Sequence, residues 1–132
     1  MCLHAPSAGP LTAGGPITPL GSWVVDFRSN DDWAPVCGQI LQPDGKILVV
    51  GSGQYINDGI QVMRFLSDGG LDETFGDFGV TKTHLKESTN CEDVILQKDG
   101  KILLLGGWDH SGTKLAIVRL LPNGSLDTTF ET

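Results

Sequence analysis

The sequence is short of positive charge. Its 9 lysines and arginines stand against 16 aspartates and glutamates, a formal net charge of -7, and a chain without a cationic surplus is poorly equipped to neutralise phosphates. Nucleic acid and anionic membrane surfaces are therefore not expected partners. No apolar run approaches the roughly 20 residues that a helix needs to cross a bilayer. The three cysteines, Cys2, Cys37 and Cys91, are an odd number, too few for a disulfide framework and without metal-ligand spacing. They are expected as small core residues, with a Cys37 to Cys91 bridge open to the chain in an oxidising setting. His4, His84 and His110 are scattered, so a zinc site has no support and no cofactor is expected.

Charge is missing altogether from the first 22 residues, which hold four of the seven prolines and four glycines. Residues 1–22 read as a flexible Pro/Gly-rich leader or linker. Without a basic start or an unbroken apolar stretch they do not read as a signal peptide, and the compartment stays unassigned. Catalytic signatures are absent too: no Gly-x-Ser-x-Gly elbow, no Gly-x-x-x-x-Gly-Lys loop and no dinucleotide fingerprint. Asp109, His110 and Ser111 are neighbours in sequence, but triad members must converge in space and adjacent side chains on one loop rarely do. A hydrolase is the weakest of the readings considered, and no enzyme activity is expected.

What is present is repetition. Residues 40–51, ILQPDGKILVVG, and 95–106, ILQKDGKILLLG, agree at nine of twelve positions. The match extends without gaps over 40–75 and 95–130 at a constant offset of 55, with 16 of 36 positions identical. A fixed period of this size marks a repeat architecture. The repeats are taken as residues 23–77 and 78–132. Within each, short Val, Ile and Leu segments alternate with Asp-Gly or Asn-Gly turns, the signature of strands and hairpins.

Four strands are expected per copy: 23–27 and 80–85, 36–42 and 93–97, 46–51 and 101–106, and 60–66 and 115–121. Asp44-Gly45, Asp68-Gly69, Asp99-Gly100 and Asn123-Gly124 supply the turns, in which the Asp or Asn bonds nearby backbone and the Gly takes positive φ. The third strand is apolar at consecutive positions, Ile47 to Val50 and Ile102 to Leu105, so both of its faces must be covered. Four-stranded antiparallel sheets covered on both faces and repeated every 40 to 55 residues or so are β-propeller blades.

The pairs LQPDGKILVVG with LQKDGKILLLG and RFLSDGGLDETF with RLLPNGSLDTTF closely resemble the bacterial delta-sixty repeat, a β-propeller type of repeat of unassigned function. The resemblance implies blade-like units, of which such proteins usually carry many more copies and are often exported. The expected fold is all-β, two four-stranded antiparallel β-propeller-type blades, with a β-sandwich of two sheets as the alternative. Two blades do not close a ring, and stacked repeats need about three or more units or caps. Either copies of the chain assemble into a ring, or it is a fragment of a longer repeat protein, or the sheets fold on each other as a sandwich; a homo-oligomer is the favoured expectation, three chains giving six blades.

Arg64 and Arg119 sit at equivalent places inside apolar strands and need partners. The equally repeated Asp72 and Asp127 are the candidates, either as ion pairs or as caps of a short helical turn in which Leu71 packs on Phe75. Asp68, Asp72, Glu73 and Asp77 invite a calcium reading. The second copy retains only Asp127, so a solvated acidic loop is preferred. The copies disagree most between the third and fourth strands. There Gln54, Tyr55, Asn57 and Asp58, and Trp108, Asp109 and His110, offer a ring to stack on a sugar and polar groups to bond hydroxyls. The leading expectation is a non-enzymatic binding or interaction module completed by self-association, with a protein or carbohydrate ligand. A lectin-like oligomer using these loops is the alternative.

Overall fold

The computed structural model describes residues 36–53, 58–85, 90–107 and 114–130. These residues form seven strands and no helix: β1 (Val36–Leu41), β2 (Ile47–Ser52), β3 (Ile60–Phe65), β4 (Val80–Lys82), β5 (Asn90–Leu96), β6 (Ile102–Gly107) and β7 (Leu115–Leu120). They make two antiparallel sheets, β1-β2-β3-β4 and β5-β6-β7. The repeat is visible in the registers themselves. Val36 pairs with Gly51 and Cys91 with Gly106, and each first strand then bulges by one residue, at Cys37 and at Glu92.

The turn chemistry follows from the residues placed there. Gly45, Gly69, Gly100 and Gly124 have φ between 86° and 93°, a region that costs glycine nothing. Each donates its N–H to the carbonyl three residues back, at 2.9 to 3.0 Å. The preceding Asp44, Asp68, Asp99 and Asn123 each accept a backbone N–H two residues ahead, which fixes the turn without help from the rest of the molecule.

The sheets pack face against face. Ile40, Leu48, Val50, Ile60 and Val62 of the first sheet meet Val94, Leu96, Ile102, Leu104, Val118 and Leu120 of the second. Leu48, Val50, Ile102, Leu104 and Leu120 are fully buried, each contributing about 1.5 to 3 kcal/mol of transfer free energy. The closest approach between the sheets is at β1, β2 and β5. The two contributions are not repeat-equivalent: Leu48 corresponds to Leu103, which lies on the opposite face of its sheet from Ile102 and Leu104. One repeat presents its front and the other its back, which is how blades stack; a sandwich of two equivalent sheets related by a two-fold would bring like faces together.

Cys37 and Cys91 are joined by a disulfide across this interface, with Cα atoms 5.7 Å apart. They are therefore a cross-link between the sheets, in place of the unlinked core residues expected from sequence. The strand β4 lies at the outer edge of the first sheet, next to β3. A strand that the 55-residue window assigns to the second copy is thus structurally part of the first sheet. Its sequence equivalent, within the expected strand 23–27, lies outside the described residues, as do residues 1–22.

Candidate functional site

The polar groups that the repeat conserves between its copies gather at the ends of β3 and β7. Arg64 Nε donates to Asp72 Oδ2 at 2.8 Å, and Arg119 Nε to Asp127 Oδ2 at the same distance. Both expected ion pairs are present. Asp72 and Asp127 are almost fully buried and each accepts two further hydrogen bonds, from the backbone and hydroxyl of Thr74 or Thr129. Lys46 and Lys101 reach the same carboxylates at 3.2 and 3.7 Å. These aspartates close single turns: Phe75 N–H and Phe130 N–H return to their carbonyls, and no helix forms among the described residues.

The partner of Phe75 is the guanidinium of Arg64, 4.6 Å from the ring centre, and Phe130 receives Arg119 at 4.5 Å. Leu71 instead bridges to Phe65 at the strand edge. The sequence signal for this clamp was available: Arg, Asp, Thr and Phe recur at the same spacing in both copies. What the pattern could not reveal was that the ring lies on the cation.

Burial pushes the Asp72 carboxyl up, but the Thr74 hydroxyl, Lys46, the Thr74 N–H and the charge of Arg64 together outweigh it and hold the group at about 2 instead of 3.8. Asp127 is also held at about 2, first by the Thr129 hydroxyl, against the opposing effect of burial, with the Thr129 N–H and Arg119 adding to it. A carboxylate this acidic is a feeble base at neutral pH. The clamp is suited to holding the strand end in place, and Asp72 is not the solvated acidic group expected for this loop.

The two copies of the clamp differ in one respect. Arg64 Nη1 also donates to the Pro122 carbonyl of the second repeat at 2.7 Å. Beside it run Gly76 N–H to the Asn123 carbonyl at 2.8 Å and the Thr81 hydroxyl to the Gly124 carbonyl at 2.7 Å, and at the other end of β2 Cys91 N–H donates to Ser52 Oγ at 3.0 Å. The first clamp is thereby one of the polar contacts between the blades. The second has no such neighbour among the described residues, and its arginine side chain is 20% exposed where that of Arg64 is 9%.

Of the candidate ligand-binding residues, Gln54, Tyr55, Asn57, Trp108, Asp109 and His110 lie outside the described residues. Asp58 is described and is buried at 8% exposure. It accepts from Gln61 Nε2 at 3.2 Å, pairs with Lys82 at 3.5 Å and offers its carbonyl to His84 N–H. It ties the base of its loop to β3 and β4. A cleft of ≈ 270 Å³ runs between β4 and the turn after β7, lined by Asp77, Thr81, Lys82, Thr83, Ser125 and Leu126 among others. It is smaller than most small-molecule sites, and Thr81, Lys82 and Thr83 are engaged in the protein's own bonds. Among the described residues no group of three or more His, Cys, Asp or Glu could hold a metal ion.

A family model for a beta-propeller domain of unknown function, DUF5122, matches residues 42–75 and 97–130, together just over half of the chain. The chain belongs to the DUF5122 beta-propeller family. The matched stretches run from the Asp-Gly hairpin to the Phe of each clamp, so the family pattern consists of the features that build and fasten a DUF5122 blade. It leaves out β1, β4 and β5. No curated protein and no solved structure matches the chain.

Proposed function

We propose that this chain is a non-catalytic binding or interaction module whose propeller-type blades are completed by self-association. The observation that carries the reading is the unequal burial of equivalent strands. Every residue of β3 is buried, whereas β7 alternates, leaving Leu115 61% and Ile117 49% exposed. The same apolar pattern is satisfied on two faces in one copy and on one face in the other, and an apolar surface of this kind marks an interaction site.

The delta-sixty resemblance of the same motifs accords with this reading, because such repeats occur in series. Three chains giving six blades is the favoured assembly. Chemistry finds little purchase here: the repeated carboxylates are ionised, buried and paired, and serve stability. Light scattering coupled to size exclusion tests the proposal. The expected mass is a multiple of 14.1 kDa, with three copies favoured. A folded species of single-chain mass across the micromolar range would overturn it.

A further inference from the structure

The interface inside the chain specifies what the outer face of β1 and β2 and the outer face of the second sheet should accept. At its centre Ile40, Leu48 and Val50 of the first repeat meet Leu96, Ile102 and Leu104 of the second. The offset of 55 maps the first set onto Ile95, Leu103 and Leu105, and the second set, in reverse, onto Leu41, Ile47 and Val49. The residue type is unchanged at four of the six positions and Val and Leu are exchanged at the other two. Within one chain Leu41 pairs with Ile47 and Ile95 with Leu103, each pair inside its own sheet. All six lie on the far faces of the two sheets, where Leu41 is 72% and Ile95 45% exposed and the other four are only partly buried.

From this correspondence we propose that a second copy of the chain docks the outer face of its β1 and β2 on the outer face of β5, β6 and β7, repeating between copies the front-to-back contact made within one. The proposal rests on the self-association reading and adds which surfaces meet and in what register. A second copy is favoured over an unrelated partner because the complementary surface is already written in this sequence. An apolar surface that repeats the six central positions of an existing interface, four of them unchanged, requires no new partner.

The polar contacts map in the same way. Arg64 donates to the Pro122 carbonyl, so Arg119 of one copy would donate to the Ser67 carbonyl of the next. That supplies a second partner for the more exposed guanidinium. Gly38 lies so close to Val94 that an added Cβ would come within 2.9 Å of it. Its equivalent pair, Asp93 and Gln39, is bulkier on both sides, so two copies sit further apart at this spot than the two repeats do. Such a contact is heterologous and must either close into a ring or continue as a filament. The disulfide provides a ruler for the geometry. Cys37 corresponds to Glu92, and Cys91 to Val36, both of them exposed.

The test uses that ruler in a Cys2→Ser background. Val36→Cys and Glu92→Cys proteins are prepared separately, mixed, and oxidised mildly. The expected result is a covalent dimer in the mixture and none in either protein alone. The double variant should give a ladder of cross-linked species ending at the size of the ring. Ile117→Asp, at a site exposed in the single chain, should keep its β circular dichroism while assembly weakens at least about tenfold, because a buried unpaired charge is costly. Assembly without the cross-link, or cross-linking equally strong in the unmixed proteins, overturns this docking while leaving self-association intact. Unweakened assembly of Ile117→Asp does the same. A protein that stays monomeric overturns both.

Discussion

Replacing Asp72 with Asn removes one negative charge and almost no volume from the most heavily bonded polar site of the molecule. In the native protein Arg64 and Lys46 converge on Asp72 Oδ2 at 2.8 and 3.2 Å. With a neutral amide in its place two cations would share a site without an anion. Removing one partner of a buried pair costs about 3 to 5 kcal/mol. Lys46 is 30% exposed and can turn to water, and Arg64 keeps the Pro122 carbonyl and the Phe75 ring, so the low end, about 3 kcal/mol, is expected. For a domain of about 60 to 100 residues this is a fall in Tm of roughly 12 to 24 °C. The measurement is guanidinium unfolding of the oxidised protein followed by far-ultraviolet circular dichroism. Adding Arg64→Met should restore at least about 1 kcal/mol, since a buried pair exchanged for apolar contact is often neutral. A loss below about 0.5 kcal/mol, the range of an ordinary surface change, would refute the assignment of the clamp as a buried structural pair. A double variant less stable than Asp72→Asn alone would refute it equally.

Both clamp carboxylates titrate below the ordinary value of 3.8, at about 2, so their contribution is present above pH 4 and is lost as pH falls from there towards 2. Tm should hold down to about pH 4 and then drop, and the Asp72→Asn/Asp127→Asn variant should show a shallower drop; an unchanged slope would contradict the clamp titration. The Cys37 to Cys91 bond spans 54 residues of sequence, and loop-closure entropy puts its removal by Cys37→Ser/Cys91→Ser at about 4 kcal/mol, read as a lower guanidinium midpoint than the oxidised parent. Gly124→Ala should cost more than Gly45→Ala although both have φ near 90°. A Cβ at Gly124 would meet Gly76 N at 2.8 Å across the sheet boundary, while at Gly45 the nearest atom is Ser67 Cβ at 3.3 Å. Equal losses in thermal unfolding would show that the sheets do not meet at this turn.

Much of this molecule was legible because its signals are local. Asp44-Gly45 and its three counterparts name their turns through bonds no longer than three residues, so the hairpins and the strands they separate follow from composition and spacing. The pairing of Arg64 with Asp72 was legible for a related reason: a charge inside an apolar strand has few admissible partners, and of the two aspartates repeated with it Asp44 is taken up by its own turn. Leu71 on Phe75 was not, because i and i+4 meet only in a helix and this turn never becomes one. The cysteines gave no local signal either, since nothing in the two sequences around them says that one lies on a front and the other on a back.

By itself the sequence determined the period, the all-β class, the turn positions and the residues that had to be paired or covered. Each of these depends on a residue's own backbone preference or on the desolvation cost of its side chain, which are properties of a short stretch of chain. The tertiary structure alone decided which face of each repeat meets the other, that Val80–Lys82 belongs to the first sheet, and that Cys37 and Cys91 are brought within bonding distance. Those facts depend on how two nearly identical apolar sheets stack, and near-identity is the one condition under which sequence cannot say which face goes against which.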